Sequence, residues 1–104
     1  LTIQQIQEAV AQHYGLKIRQ LVGPHQHRGI SRPRMLAMYL CRTMTPSSLP
    51  AIGRAFGGRH HTTVLNACRT MVGLIERDVN LLLIRDTITF RLRSEEEESD
   101  VRLA

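Results

Sequence analysis

Residues 48–78 read SLPAIGRAFGGRHHTTVLNACRTMVGLIERD. Ser48 is placed to cap a short helix, with Pro50 in its first turn and Ile52, Ala55 and Phe56 pointing inward. Gly57 and Gly58 force a tight turn. A long helix then runs from about His60 or His61 to Asp78, with Val64, Ala67, Cys68, Met71, Leu74 and Ile75 at the i, i+3, i+4, i+7 spacing of a buried stripe. That is the strongest periodic signal in the chain. A short helix, a glycine turn and a long helix make a helix-turn-helix candidate.

Such a unit puts the N-terminal residues of its second helix into the major groove, so those residues must be polar and short enough to approach base edges. Here they are His60, His61, Thr62 and Thr63, followed by Asn66, Arg69 and Thr70 on the side opposite the apolar stripe. That face offers imidazole donors, hydroxyls and methyls, an amide suited to adenine and a guanidinium suited to guanine or phosphate. Spacing alone is equally compatible with an αα-hairpin whose polar face is merely solvated.

Upstream, Thr2 is an N-cap candidate with Gln5 as capping-box partner, and Ile3, Ile6, Val10 and Tyr14 form one stripe that Gly15 ends. A short turn of helix follows at about Lys17–Val22. The polar, basic segment Gly23–Gly29 reads as a loop. Ser31 is placed to cap the next helix, with Pro33 in its first turn and Leu36, Ala37, Leu40, Cys41 and Met44 buried, until Thr45-Pro46-Ser47 breaks the pattern. Downstream, a last helix at about Val79–Arg91 carries Leu82, Leu83, Ile88 and Phe90. The expected fold is all-α, a compact bundle of about six helices. Residues 1–93 make the helical domain, and the acidic stretch EEEESD lies in a disordered tail, 94–104.

A chain of 104 residues suffices for one domain and not for two. The four aromatic residues include no Trp, so the core must be aliphatic, which suits helices. Residues 1–93 hold thirteen of the fourteen bases and four of the nine acids, a net of about +9, and Lys17 is the one lysine. Arginine binds phosphate and guanine in a fork, so this balance points to double-stranded nucleic acid, the alternative being a solvated basic surface. Cys41 and Cys68 sit in apolar patterns without a CxxC, which suits buried thiols and a cytoplasmic setting. No run is long enough for a membrane span, and no membrane partner is expected. His25, His27, His60 and His61 lack the spacing of a metal site, no GxxxxGK[ST] is present, and no nucleophile with a structured base can be assembled. The chain is therefore expected to be no enzyme and to carry no metal or cofactor. Because it begins at Leu1, it reads as a fragment of a longer protein.

FGGRHHTTVLNACR (56–69) resembles the signature of the C-terminal DNA-binding domain, domain IV, of the bacterial DnaA replication-initiator family. The resemblance extends through SRPRMLAMYLCRTMT (31–45), SLPAIGRAFGG (48–58) and, in pattern, TIQQIQEAVAQHYGLKIRQLVG (2–23). It implies a Trp repressor-like arrangement and sequence-specific binding of DnaA-box-type duplex sites at replication origins. By the same resemblance His61 and Thr62 match a base-reading histidine and threonine, Thr63 a threonine beside them, and Pro50 a proline that touches a thymine methyl. Arg32, Arg34 and Arg42 fall at basic positions near phosphates, and Arg59 and Arg69 join that set. The segment before Ser31 matches a basic loop that reaches the minor groove.

Two departures stand out. His60 occupies a position where the family has an aspartate, and the family's minor-groove arginine falls at Gln26, with Arg28 two residues on. Both bear on which site is preferred. The resemblance thus leaves three readings: the origin-binding end of an initiator whose ATPase domain lies elsewhere in the same protein, a stand-alone DNA-binding regulator with altered or relaxed preference, or a protein-interaction domain with a basic face.

Overall fold

The Thr2 hydroxyl accepts the Gln5 N–H at 3.1 Å, and the Gln5 side chain accepts the Thr2 N–H at 2.8 Å. This reciprocal cap starts α1 (Ile3–Tyr14), and Gly15 closes it in the left-handed conformation at φ 66°. Thr2→Ala removes one half of the box and is expected to cost about 1 kcal/mol. At roughly 4–8 °C per kcal/mol this is a readable fall in Tm by circular dichroism. An unchanged Tm would mean that the cap contributes nothing.

The computed structural model describes the backbone of residues 1–103 and the side chains of residues 1–100. After α1 come α2 (Ile18–Val22), α3 (Arg28–Met44), α4 (Leu49–Ala55), α5 (His61–Arg77) and α6 (Val79–Leu103). No strand occurs among the described residues, so the all-α expectation of about six helices holds. α3 is the central helix and packs against α1, α2, α4 and α5. Leu36, Ala37, Leu40 and Cys41 of α3 are essentially inaccessible, and so are Ile6 and Val10 of α1, Ile52 of α4, and Val64 and Met71 of α5. Phe56, the one buried phenylalanine, fills the junction at the end of α4. α6 lies against α1 and α5 through Ile88 and Leu92.

Two boundaries differ from the sequence expectation. α3 starts at Arg28 rather than after Ser31, so the loop is confined to Gly23–His27, and Pro33 lies inside the helix. The His27 carbonyl accepts from Ile30 and Ser31 N–H groups at 3.0 and 2.9 Å, and buried Ile30 anchors that extra turn. The carbonyl that Pro33 leaves without a donor belongs to exposed Gly29, where water can satisfy it. The acidic segment is the second difference: the last helix, expected to end at about Arg91, continues through it to Leu103. Glutamate and arginine are good helix formers, and Arg91 bonds Glu95 one turn ahead at 3.1 Å while also reaching Gln12 of α1. Ala104, also assigned to the tail, lies outside the described residues.

Candidate nucleic-acid interface

Ser48 caps α4 by accepting the Ala51 N–H at 3.2 Å, and Pro50 stands exposed in the first turn. The chain then reverses through Gly57 and Gly58, at φ 76° and 75°, a region that costs glycine nothing. The Arg59 N–H closes the turn onto the Gly53 carbonyl at 2.9 Å. α5 leaves this turn with Val64, Ala67, Met71 and Ile75 inward. On its other side His61, Thr62, Thr63, Asn66, Arg69 and Thr70 are all exposed, as is His60 at the cap. Thr70 was legible as part of this face from its spacing.

His60 is more than a surface polar residue. Its Nδ1 accepts the Thr62 N–H at 3.2 Å and stands 2.8 Å from the Thr62 hydroxyl. The His60 and His61 rings lie 4.2 Å apart, tilted by 34°. No acidic residue occupies the first turn of α5 or of α3, so neither helix N-terminus is neutralised. No Asp or Glu stands between Glu8 and Glu76, a stretch that contains both helices and the loop before α3.

The N-terminal halves of α3 and α5 flank a groove of about 310 Å³ whose lining includes Gln26, Ser31, Thr63 and Asn66. Gln26, from the loop, thus borders the same groove as the outward face of α5. Arg42 and Arg69 are exposed, Arg32 is half-buried, and the Arg42 guanidinium makes only a long 3.4 Å bond to the Ser47 carbonyl. Arg28 is not a loop residue as expected but the first residue of α3, exposed.

Two arginines of the expected phosphate set donate to backbone carbonyls in this structure. Arg34 is buried, 6% exposed, and donates to the Leu21 carbonyl at 2.7 Å and the Gly23 carbonyl at 2.9 Å. Arg59 donates to the Phe56, Val22 and Gly23 carbonyls at 2.6, 3.0 and 2.7 Å. Burial lowers the pKa of both, and the nearby Arg59 charge lowers that of Arg34 further. A sequence signal existed for Arg34: it shares a helical stripe with Ile30, Ala37 and Cys41, so it had to point into the protein. Buried Gln7 went unnoticed for the same reason; its side chain donates to the Ala55 carbonyl at 2.9 Å and ties α1 to the end of α4.

The Cys41 thiol is buried, and its pKa is pushed up to about 12, so it packs as a neutral core side chain. His25 and His27 lie with ring centroids 6.3 Å apart, and no group of three or more metal-ligating side chains comes together among the described residues. No described helix is long and apolar enough to cross a membrane.

A family model described as bacterial dnaA protein helix-turn-helix matches residues 3–71. A chromosomal replication initiator protein DnaA of Cereibacter sphaeroides is 47% identical over 81 residues, which is 78% of this chain and 18% of the relative. The corresponding protein of Caulobacter vibrioides is 46% identical over 93 residues, 89% of this chain and 19% of the relative. That of Aromatoleum aromaticum is 48% identical over 88 residues, 79% of this chain and 18% of the relative. The chain spans less than a fifth of the length of these relatives.

Proposed function

This chain belongs to the bacterial DnaA helix-turn-helix family, and from that premise we propose that it binds double-stranded DNA sequence-specifically, at DnaA-box-type sites, in the initiation of chromosome replication. The observation that carries the reading is the exposed polar start of α5, set in a stretch without a single carboxylate between Glu8 and Glu76. In this reading His60, His61, Thr62, Thr63 and Asn66 read base edges in the major groove, with Pro50 against a thymine methyl. Gln26 approaches the minor groove across the shared cleft. Arg28, Arg32, Arg42 and Arg69 neutralise phosphates. If the chain is part of a longer initiator, the ATPase domain belongs to the other parts of that protein; the proposed setting is the cytoplasm and the nucleoid, and this segment acts without metal, cofactor or catalysis of its own.

A second reading, altered site preference, is favoured by His60. Its Nδ1 lone pair is occupied by the Thr62 N–H. The neutral ring must then carry its proton on the other nitrogen, which donates. A donor fits a purine N7 or a guanine O6, whereas the family's aspartate accepts from a cytosine amino group.

Selection of bound sequences from a random duplex pool tests both readings. His61→Ala is expected to flatten the preference at one or two positions, by about 1–3 kcal/mol of discrimination. Arg42→Ala is expected to weaken all duplexes alike. Even losses in both variants would reject the division into readers and phosphate contacts. No binding to any duplex at modest ionic strength would reject the function.

A further inference from the structure

Loop Gly23–His27 and helix α5 come from distant parts of the sequence, yet Gln26 and the α5 face border one groove. Something must hold them in register. The carbonyls of Leu21, Val22 and Gly23 end α2, where four backbone acceptors lack helical donors. Two guanidiniums supply those donors. Arg34 comes from α3 and takes Leu21 and Gly23; Arg59 comes from the α4–α5 turn and takes Val22 and Gly23. The Gly23 carbonyl is thus shared between the two arginines, at 2.9 and 2.7 Å.

The turn also approaches the loop closely. A Cβ on Gly57 would lie 2.5 Å from the Val22 carbonyl oxygen and 3.2 Å from Nη1 of Arg59. On the other side, Arg59 holds its own turn by donating to Phe56 and by closing onto Gly53. Neither guanidinium has a carboxylate partner among the described residues. Both therefore bond only to backbone. Arg59 stands two residues before His61, so a shift of the loop and a shift of the α5 N-terminus are transmitted through one side chain.

We infer that Arg34 and Arg59 form a double clamp on the end of α2 that sets the position of the Gln26 loop relative to the reading face of α5, making Arg59 a positioning residue for specificity and not a phosphate contact. The inference rests on the DNA-binding reading above. A planar fork is needed because one side chain must satisfy separated carbonyls at once; an ammonium on a flexible stem cannot hold the same geometry.

The test uses the full chain and four variants: Arg59→Lys, Arg59→Gln, Gln26→Ala and His61→Ala. All are checked for native helicity and assayed well below their Tm against a pool of duplexes. Gln26→Ala first identifies the base pairs that the loop reads, as those whose preference disappears. At those pairs Arg59→Lys is expected to reduce discrimination about fivefold or more, while the pairs lost in His61→Ala keep theirs. Arg59→Gln should do the same. The slope of log affinity against log salt should stay unchanged in Arg59→Gln, since a lost phosphate contact would flatten it by about 0.9. In the free protein, amide exchange should accelerate at His25–His27 and not in the middle of α5.

A flattened salt slope in Arg59→Gln would overturn the clamp in favour of direct phosphate binding. A uniform loss across all base pairs, or a lower Tm with preference intact, would reduce Arg59 to a structural residue. Failure of Gln26→Ala to alter any base pair would also overturn the inference, because the loop would then read nothing. If the wild-type chain itself binds no duplex, the DNA-binding reading fails, and the exchange result still reports whether the clamp exists.

Discussion

Gly53→Ala is expected to unfold the helix-turn-helix at a temperature about 15 °C lower than wild type, from a loss of about 3 kcal/mol at roughly 4–8 °C per kcal/mol. The usual effect of this substitution inside a helix has the opposite sign, because alanine is the better helix former by about 0.8–1 kcal/mol. Here the new Cβ would stand 2.1 Å from the Arg59 carbonyl oxygen and 3.2 Å from its carbon. Both are backbone atoms, so no rotamer change relieves the overlap. α4 must move from the turn, and the Arg59 N–H bond to the Gly53 carbonyl at 2.9 Å is lost with it. Arg59 then no longer presents its guanidinium to Val22 and Gly23 in the same place. Against a total stability of about 5–15 kcal/mol this is a large fraction. Gly73→Ala is the internal control. Its Cβ meets only the flexible end of Arg77, at 3.2 Å, so it should be neutral or raise Tm. Thermal denaturation of the two variants side by side decides the matter, and a Gly53→Ala Tm within about 2 °C of wild type would show that the contact is relieved cheaply.

This steric dependence explains what could be read from the residues and what could not. The α5 stripe was legible because Val64, Ala67, Met71 and Ile75 repeat at the helical period and are the residues that become buried. Ser48 and Thr2 were legible because an N-cap is a local hydrogen bond, set by residues three positions apart. The outward face of α5 follows from the same period. The start of α3 was not legible. Pro33 read as a first-turn residue by its chemistry, but the extra turn before it is stabilised by the burial of Ile30, which depends on the assembled core. The end of α6 was misjudged because a run of glutamates signals solvation equally well in a coil and on a helix.

The carbonyl bonds of Arg34 and Arg59 are illegible for a different reason. Counting arginines gives charge, not destination, and apart from Phe56 the carbonyls that take these two belong to residues 11–37 positions away. The stripe position of Arg34 marked it as inward, but nothing local marks Arg59. His60 is legible from its place in the motif, and its bond to the Thr62 N–H adds a capping role.

Whether Arg34 and Arg59 keep their carbonyls in the DNA complex changes a measurable number. Arg28, Arg32, Arg42 and Arg69 remain uncommitted to carbonyl clamps beside the proposed interface. Each neutralised phosphate contributes about −0.9 to the slope of log affinity against log salt, so these four predict a slope of about −3.6. Between about 50 and 200 mM salt, duplex affinity should therefore fall roughly 150-fold. If Arg34 and Arg59 contacted phosphates as well, the slope would approach about −5.4 and the fall would approach roughly 1,800-fold. Fluorescence anisotropy with one labelled duplex across that range separates the two. The burial of Arg34 argues for the shallower value, since moving its guanidinium to a phosphate would strip donors from Leu21 and Gly23 and leave carbonyls unsatisfied. A slope near the steeper value would mean that the loop rearranges on binding and releases both arginines. A slope shallower than about −1 would mean that this basic face does not track a phosphate backbone at all.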